Sequence, residues 1–393
     1  MDKEPIFLYL HFPFCRSKCH FCFKMHKIER RHLLNQDLYR SYCDALLDCI
    51  DAHSPRLAHT HSVVGLAWGG GTPSLIPPDY LRRLHDRLAR HWQIQGLPNS
   101  FEMTPESVTT NLLEMLLDCG VNRISLGVQT FNNDTLRKMG RTHQAENVHQ
   151  AVARAREVGV TNFNIDLITT LPGENLKDLE HSLNQILTLR PPHLTTYFYN
   201  PTPGTVLFDQ IRTGHSFGWT HAQHEDAIDL ITDRLQAEGY QNYEFFHWSL
   251  DPDAFSYPGL DHYFGHKGDL FGFGAGAQSF MAPLGCQQFP DLPEFLDNPV
   301  TLRAGKFDLA YALERALGAR VGLSFANLAR AFGLDIEDIE HHALVDQLRS
   351  IPGITQTDTG LSLASDIYFA EYARGVAKRF DQIASGERKM SFA

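Results

Sequence analysis

The sequence predicts an α/β fold: a partial (β/α)6 TIM-like barrel followed by a small C-terminal helical, winged-helix-like domain. Three observations predict it. To about residue 240, short β-branched or apolar runs alternate with longer segments of helical period, the pattern of successive βα units around a parallel sheet. Only six such strands can be read, short of the eight that close a barrel, so one side stays open for a large substrate or another segment. Beyond Pro299, helical patterns precede a run that alternates like a hairpin, which is the order of a winged-helix module.

In chain order the strands are Ile6 to Phe12, Ser62 to Trp68, Ser100 to Met103, Arg123 to Gly127, Asn162 to Ile168 and His193 to Tyr199. Helical period falls between them at Asp37 to Cys49, Pro78 to His91, Thr109 to Leu117, Gln144 to Val158, Leu176 to Leu189 and Gln223 to Ala237. From Tyr240 to Gln288 the chain turns rich in Gly, aromatic residues and His, and reads as a lid or bridge ending in GDLFGFGAGAQS. Further on, Leu302 to Ala316, Phe325 to Phe332 and Ile336 to Leu348 have helical period, ITQTDTGLSLA reads as a hairpin around Thr359 and Gly360, and the tail SGERKMSFA reads as frayed. The expected divisions are therefore 1–240, 241–298 and 299–393.

At 393 residues, 43% hydrophobic and 21% charged, the chain has apolar material for a sizeable core. A formal net charge of -11 disfavours nucleic acid, whose affinity rests on Lys and Arg neutralising phosphates, and favours a small-molecule substrate. No apolar run is long enough for a membrane span and the start lacks a signal-peptide pattern, so a cytoplasmic protein with no membrane partner is expected. Without a secretion signal, seven Cys argue against a disulfide framework and turn attention to any clustered set.

Cys15, Cys19 and Cys22 form that set, spaced C-x3-C-x2-C directly after the first strand, where barrel sites are built. Thiolates select iron-sulfur clusters or zinc. Three thiolates on a four-iron cubane leave one iron open to another ligand, whereas zinc would close a Cys3His set with His11 or His20. Cys43, Cys49, Cys119 and Cys286 show no ligand spacing and read as buried thiols. After the second strand, the run Gly69 to Thr72 and Pro73 allows close backbone approach without the Lys of a P-loop. Glu102, Gln129 and Asp166 are polar residues in or just after apolar strands, costly unless they face a wet or ligand-filled mouth.

The string YLHFPFCRSKCHFC resembles the signature of the radical S-adenosylmethionine (SAM) superfamily, in its oxygen-independent coproporphyrinogen dehydrogenase (HemN-like) branch. NRISLGVQTFN, NIDLITTLPG and GFGAGAQS resemble further strings of that branch, over most of the first 280 residues. The resemblance implies a [4Fe-4S] cluster on Cys15, Cys19 and Cys22, whose open iron takes the amino and carboxylate groups of SAM, and reductive cleavage of SAM to a 5'-deoxyadenosyl radical. It implies SAM contacts from Tyr9, Phe21, Gly70, Gly71, Thr72, Glu102, Gln129, Arg141 and Asp166, with the GGGTP element on the amino group, the carboxylates on ribose hydroxyls or the amino group, and Arg141 opposite the carboxylate. Arg123 is expected only to pair with Glu102 inside the barrel. GFGAGAQS (Gly272 to Ser279) adjoins the SAM pocket in the family, and in several members a second SAM. The aromatic and His-rich stretch lies where the family contacts substrate, so His247, Trp248, His262, Tyr263 and His266 are candidate contacts.

The implied substrate is a tetrapyrrole (coproporphyrinogen-like) or related conjugated molecule, and the implied partner an electron donor such as flavodoxin or ferredoxin. Two other readings stay open: a radical C-methyltransferase or cyclopropanase using two SAM, and a haem-binding chaperone with little catalysis. The chain departs from the porphyrinogen-oxidising members, which carry a further Cys where Lys24 stands, and from the haem-trafficking members, whose H-N-x-x-Y-W string has only LDHYFGHK as its nearest counterpart.

Overall fold

The computed structural model describes residues 3–22, 35–215, 218–257, 259–263, 266–304, 309–318, 322–350 and 353–384. Its main body is one mixed sheet whose strands are β1 (Glu4–Phe12), β2 (His61–Gly70), β3 (Asn99–Met103), β4 (Arg123–Gln129), β5 (Phe163–Thr169), β6 (His193–Phe198), β7 (Gln241–Glu244), β8 (His247–Ser249), β9 (Asp269–Phe273), β10 (Gln278–Met281), β11 (Leu284–Gln288) and β12 (Leu302–Ala304). They lie in the order β12-β11-β10-β9-β1-β2-β3-β4-β5-β6-β8-β7. β1 to β6 are parallel, as the βα alternation requires.

The six-strand expectation is corrected at both edges. β9 runs parallel to β1, with Tyr9 opposite Gly272, so the bridge supplies a further parallel strand. All five of its residues are buried, which removes the alternation that marks a strand in sequence. β10 to β12 then fold back antiparallel, and a β8–β7 hairpin extends the other edge beside β6.

The helices form where their caps predict. Pro78 opens Pro78–His91 at a first-turn position that needs no N–H. Asn175 and Asp178 make a reciprocal capping box on Leu176–Leu189, whose Leu179, Leu183 and Ile186 are buried and contribute about 1.5–3 kcal/mol each. The first helix, Gln36–Thr60, runs past the expected end at Cys49 and through Pro55, because Tyr39, Tyr42, Leu46 and Ile50 anchor one face in the core. Along the parallel strands the outer face is apolar (Phe101, Ile124, Leu126, Ile165, Leu194) and the inner face polar (Ser100, Glu102, Arg123, Ser125, Asn164, Asp166, His193, Thr195). The helices thus pack outside, and the inner face is left for chemistry. No helix among the described residues is long and apolar enough to cross a membrane.

The C-terminal region has its own small core around Leu313, Leu323, Leu328 and Val345. Helices Leu309–Gly318, Phe325–Phe332, Ile336–Glu340 and Ala343–Arg349 accompany a sheet of β13 (Leu323–Ser324), β14 (Ile354–Thr357) and β15 (Gly360–Leu363), with the β14–β15 hairpin where it was expected. Two helical expectations are corrected. Leu302–Ala304 is an edge strand paired with β11, not the start of a helix. Ile336 to Leu348 breaks at His341 and His342, where the His342 ring nitrogen caps the next helix by accepting from Leu344 N at 3.2 Å. A final helix, Ser365–Ala384, was not anticipated; it returns to the main core, where Phe369 packs on Phe198 and Trp248 and Arg374 bonds Glu225 at 2.8 Å. The tail SGERKMSFA, expected to fray, lies outside the described residues.

Asp269 ties the small region to the sheet. Its carboxylate takes Arg330 Nη1 at 2.6 Å and His61 Nε2 at 3.2 Å, at the N-terminal ends of the parallel strands. Asp269→Ala is expected to lower stability by about 2–3 kcal/mol, less than the ~3–5 kcal/mol of a fully buried pair because the Arg330 side chain keeps solvent contact. Urea unfolding checks this; a loss under about 0.5 kcal/mol, the scale of a surface pair, would contradict it.

Candidate functional site

The cysteine loop leaves the C-terminal end of β1 and is held by hydrogen bonds to three other parts of the chain. Gly71 N donates to Phe12 O at 2.7 Å and Thr72 N to Phe14 O at 2.6 Å, while Ser17 Oγ donates to Gly140 O at 2.6 Å and His20 N to Met139 O at 3.0 Å. Leu207 N, at the start of helix Val206–Arg212, donates to His20 O at 3.0 Å. Cys15 and Cys22 are half-buried and Cys19 buried. Burial pushes the Cys15 thiol up to about 12, and the Cys19 and Cys22 thiols add to the rise, so the three sit in one electrostatic neighbourhood. Among the described residues no three Cys, His, Asp or Glu side chains stand together in metal-binding geometry. The donor set still suits an anionic iron-sulfur cluster: Thr72 Oγ1 donates to Cys15 Sγ at 3.5 Å and Arg141 Nη1 to Cys19 Sγ at 3.6 Å, the contacts that tune metal-bound sulfur. A thiol this hard to ionise becomes a ligand only when the metal displaces its proton. Of the two histidines weighed for zinc, His11 meets Tyr9 OH at 3.1 Å and packs on Gly70, and His20 lies against Gly140.

Each glycine of the run that ends β2 is required by a close approach. A Cβ on Gly69 would lie 2.6 Å from the Glu102 carboxyl, on Gly70 2.5 Å from the His11 ring, and on Gly71 2.3 Å from Phe14 O; Gly70 also holds φ +105°. The amides are engaged internally, Gly70 N on Glu102 Oε2 at 3.0 Å and Gly71 and Thr72 as above, so the run is no anion cradle. The second glycine element is likewise engaged: Gly272 N donates to Ser279 Oγ at 3.0 Å, Ala275 N to Tyr42 OH at 3.0 Å, Gly276 N to Phe289 O at 2.9 Å and Ala277 N to Gly274 O at 2.9 Å.

Glu102 and Asp166 face each other across the inner wall. Burial raises the Asp166 carboxyl and the Glu102 charge adds to the rise, offset by hydrogen bonds from Asn164 at 2.8 Å and Ser125 at 3.2 Å and by the Arg123 charge. Arg123 does not pair with Glu102 as expected. It donates to Ser100 Oγ at 3.1 Å, lies 3.3 Å from His193 Nδ1 and stacks on the Tyr257 ring at 5.0 Å. Burial first, and then Arg123, drive His193 well below its usual range. Tyr197, on β6, lies close enough to both carboxylates for their charges to raise its hydroxyl beyond what burial does.

Gln129 ends β4 in a left-handed conformation, φ +73°, beside a bulge. The next residue, Thr130, donates to Glu174 Oε1 at 2.7 Å, and burial pushes Glu174 up to about 7. Arg141 Nη2 donates to Gly127 O, so its guanidinium spans the end of β4 and the cysteine loop. Tyr9 points inward from β1, and Phe21 is half-buried in the cysteine loop. A shallow cleft gathers Cys15, Cys19, Thr72, Glu106, Arg141 and Thr142. Glu106 and Tyr197 escaped the sequence reading. Glu106 in TPES satisfied the rule that found Glu102, a charge just past a barrel strand, and Tyr197 was hidden by aromatic neighbours.

The candidate substrate residues divide. His247 points inward from β8, 3.1 Å from Thr195 Oγ1, and burial pushes it down to about 3. Trp248 points outward, fully buried, with its indole N–H on Thr196 Oγ1 at 3.0 Å and its ring on Phe369; it is packing. His262 packs by Phe7 and His266 by Phe280, near the Asp269 end of the sheet and away from the cysteines, because β9 begins there. Tyr263 closes the short helix Gly259–Tyr263 in that same connection.

Residues 9–186 match the family model described as Radical SAM superfamily. The chain is 30% identical over 286 residues to Heme chaperone HemW of Bacillus subtilis, covering 70% of each protein. It is 31% identical over 252 residues to oxygen-independent coproporphyrinogen III oxidase of Escherichia coli, covering 64% of this chain and 54% of that protein, and 26% identical over 398 residues to the Pseudomonas aeruginosa enzyme of the same name. The solved structure of E. coli HemN superposes with a TM-score of 0.75 at 24% identity, covering 96% of this chain and 90% of that one, so the folds agree.

Gly71→Ala is expected to displace the cysteine loop and cut bound iron severalfold in a protein that remains folded, checked by iron analysis beside circular dichroism. Full iron loading would contradict the close-packing account. For Glu174, a folded-state value near 7 against 4.5 unfolded means the native state holds the extra proton, so its contribution to stability is lost as pH rises from about 4.5 to 7. Glu174→Gln is expected to flatten the fall of Tm across that window; an unchanged slope would refute the assignment.

Proposed function

Because the chain belongs to the radical SAM superfamily, in its HemN/HemW coproporphyrinogen III oxidase-like family, we propose that it is a radical SAM enzyme acting on a tetrapyrrole or related conjugated substrate. The observation that carries this is one mouth holding three thiols, a guanidinium on a sulfur and two inward carboxylates. Cys15, Cys19 and Cys22 hold the [4Fe-4S] cluster, and Thr72 and Arg141 donate to its sulfur ligands. Glu102 and Asp166 accept from ribose hydroxyls, Gln129 adds a polar contact beside them, and Tyr9 and Phe21 flank SAM. When bound, the reduced cluster and SAM supply a carbon radical; the protein's part is to orient both and keep water away. The electron comes from a flavodoxin or ferredoxin, and the setting is cytoplasmic.

The inner face of β6 and β8 offers His247 and Tyr197 to the substrate. The engaged amides from Gly272 to Ala277 support one SAM rather than two. The small C-terminal region, helix-strand-helix then hairpin, is winged-helix-like and serves as a cap. A second reading, a haem chaperone with little catalysis, is favoured by the similarity to Heme chaperone HemW.

Product analysis after anaerobic reconstitution separates these readings. Dithionite-reduced protein given SAM and coproporphyrinogen III is expected to form 5'-deoxyadenosine, and Cys15→Ala to form none. Methyl-labelled SAM distinguishes oxidation from methyl transfer, since only the latter moves label into substrate. Absence of 5'-deoxyadenosine together with a Soret band on adding haem would replace the enzyme reading with the chaperone one.

A further inference from the structure

Asn164, buried in the inner wall, uses every hydrogen-bonding position of its side chain. The amide nitrogen donates to Asp166 Oδ1 and to Ser125 Oγ, both at 2.8 Å, while the oxygen accepts from Thr195 Oγ1 at 3.0 Å and lies 2.7 Å from His193 Nδ1. Ser125 Oγ in turn donates to Asp166 Oδ2 at 3.2 Å, so both carboxylate oxygens are met by donors. The orientation of one amide therefore decides what Asp166 faces. Turned over, Asn164 would set its carbonyl oxygen 2.8 Å from the carboxylate, an acceptor against an anion.

The proton on His193 holds the amide this way up. A carbonyl oxygen 2.7 Å from Nδ1 requires Nδ1 to donate. Burial, and then the Arg123 charge, keep this ring neutral, so with the proton on Nδ1 the other nitrogen accepts. Its partner is Tyr243 OH, 2.7 Å from Nε2; that hydroxyl receives the backbone N–H of Tyr257 at 3.3 Å and has its own proton for His193. Arg123 Nη2, 3.3 Å from Nδ1, competes for the same nitrogen, but it needs a lone pair there, and that tautomer would turn the Asn164 carbonyl onto Asp166. The shorter contact and the carboxylate decide against it. Polarity thus runs one way, from the Tyr257 N–H through Tyr243, His193 and Asn164 to Asp166, and joins β7 at the sheet edge to β6 and β5.

We infer that His193 is a positioning residue for Asp166: its Nδ1 proton, set by Tyr243, fixes the Asn164 amide so that Asp166 meets SAM as an anion held by two donors. This rests on the radical SAM reading given above, in which Asp166 accepts from ribose. His193 acts through Asn164 and not on the cofactor itself.

Two measurements on the anaerobically reconstituted protein test it. Nitrogen-15 NMR of histidine-labelled protein, with the His193 resonances assigned by their loss in His193→Asn, is expected to find a neutral ring protonated on Nδ1. A proton on Nε2 overturns the inference. In equilibrium dialysis with SAM, His193→Leu, which fills the space without supplying a donor, is expected to weaken binding about threefold to tenfold, at or below the scale of one charge-assisted hydrogen bond because the effect is relayed. Iron content stays at the parent level. His193→Asn, whose amide nitrogen can stand where Nδ1 does, is expected to restore affinity to within about twofold of the parent. Parental affinity in His193→Leu, an equal loss in both variants, or loss of iron together with SAM binding overturns the inference, the last by making His193 merely structural. If the parent protein, with its cluster in place, binds no SAM, the radical SAM reading itself fails and takes this inference with it.

Discussion

Everything at the mouth of the sheet depends on one contact without side chains: the amides of Gly71 and Thr72 donating to the carbonyls of Phe12 and Phe14. It joins the end of β2 to the start of the cysteine loop at a separation that no Cβ on Gly71 would permit. From it follow the position of Cys15, the reach of Thr72 Oγ1 to that sulfur, and the turn that exposes Gly70 N to Glu102. The glycine run serves to let two strand ends approach and does not cradle an anion.

The second constraint is the alternation of the parallel strands. Apolar residues at one parity fix the helices outside and leave the other parity free to be polar, at a desolvation cost met by mutual hydrogen bonds among Ser125, Asn164, Asp166, His193 and Thr195. Asn164 is the centre of that network, donating to Ser125 and Asp166 and accepting from Thr195 and His193. Such a network orients the carboxylates before any ligand arrives.

Where chemistry imposes a residue type, the sequence was legible. The three cysteines, the glycine run, Glu102 and Asp166 are each anomalies against a periodic background, and each stands at the mouth. Features set by tertiary packing were not legible. β9 carries no alternation because both its faces are buried, the helix Ser365–Ala384 docks through Phe369 on a surface that only the folded sheet creates, and Trp248 resembled a ligand contact until its parity on β8 turned it outward. His262 and His266 were read by composition, and strand direction carries them to the other end of the sheet.

The central claim is that Cys15, Cys19 and Cys22 hold a cubane with one iron left for SAM. Electron paramagnetic resonance of the reduced, anaerobically reconstituted protein tests it most directly. The account predicts a [4Fe-4S] signal whose g-values shift when SAM is added. A zinc-containing, colourless protein, or a cluster signal indifferent to SAM, would contradict it.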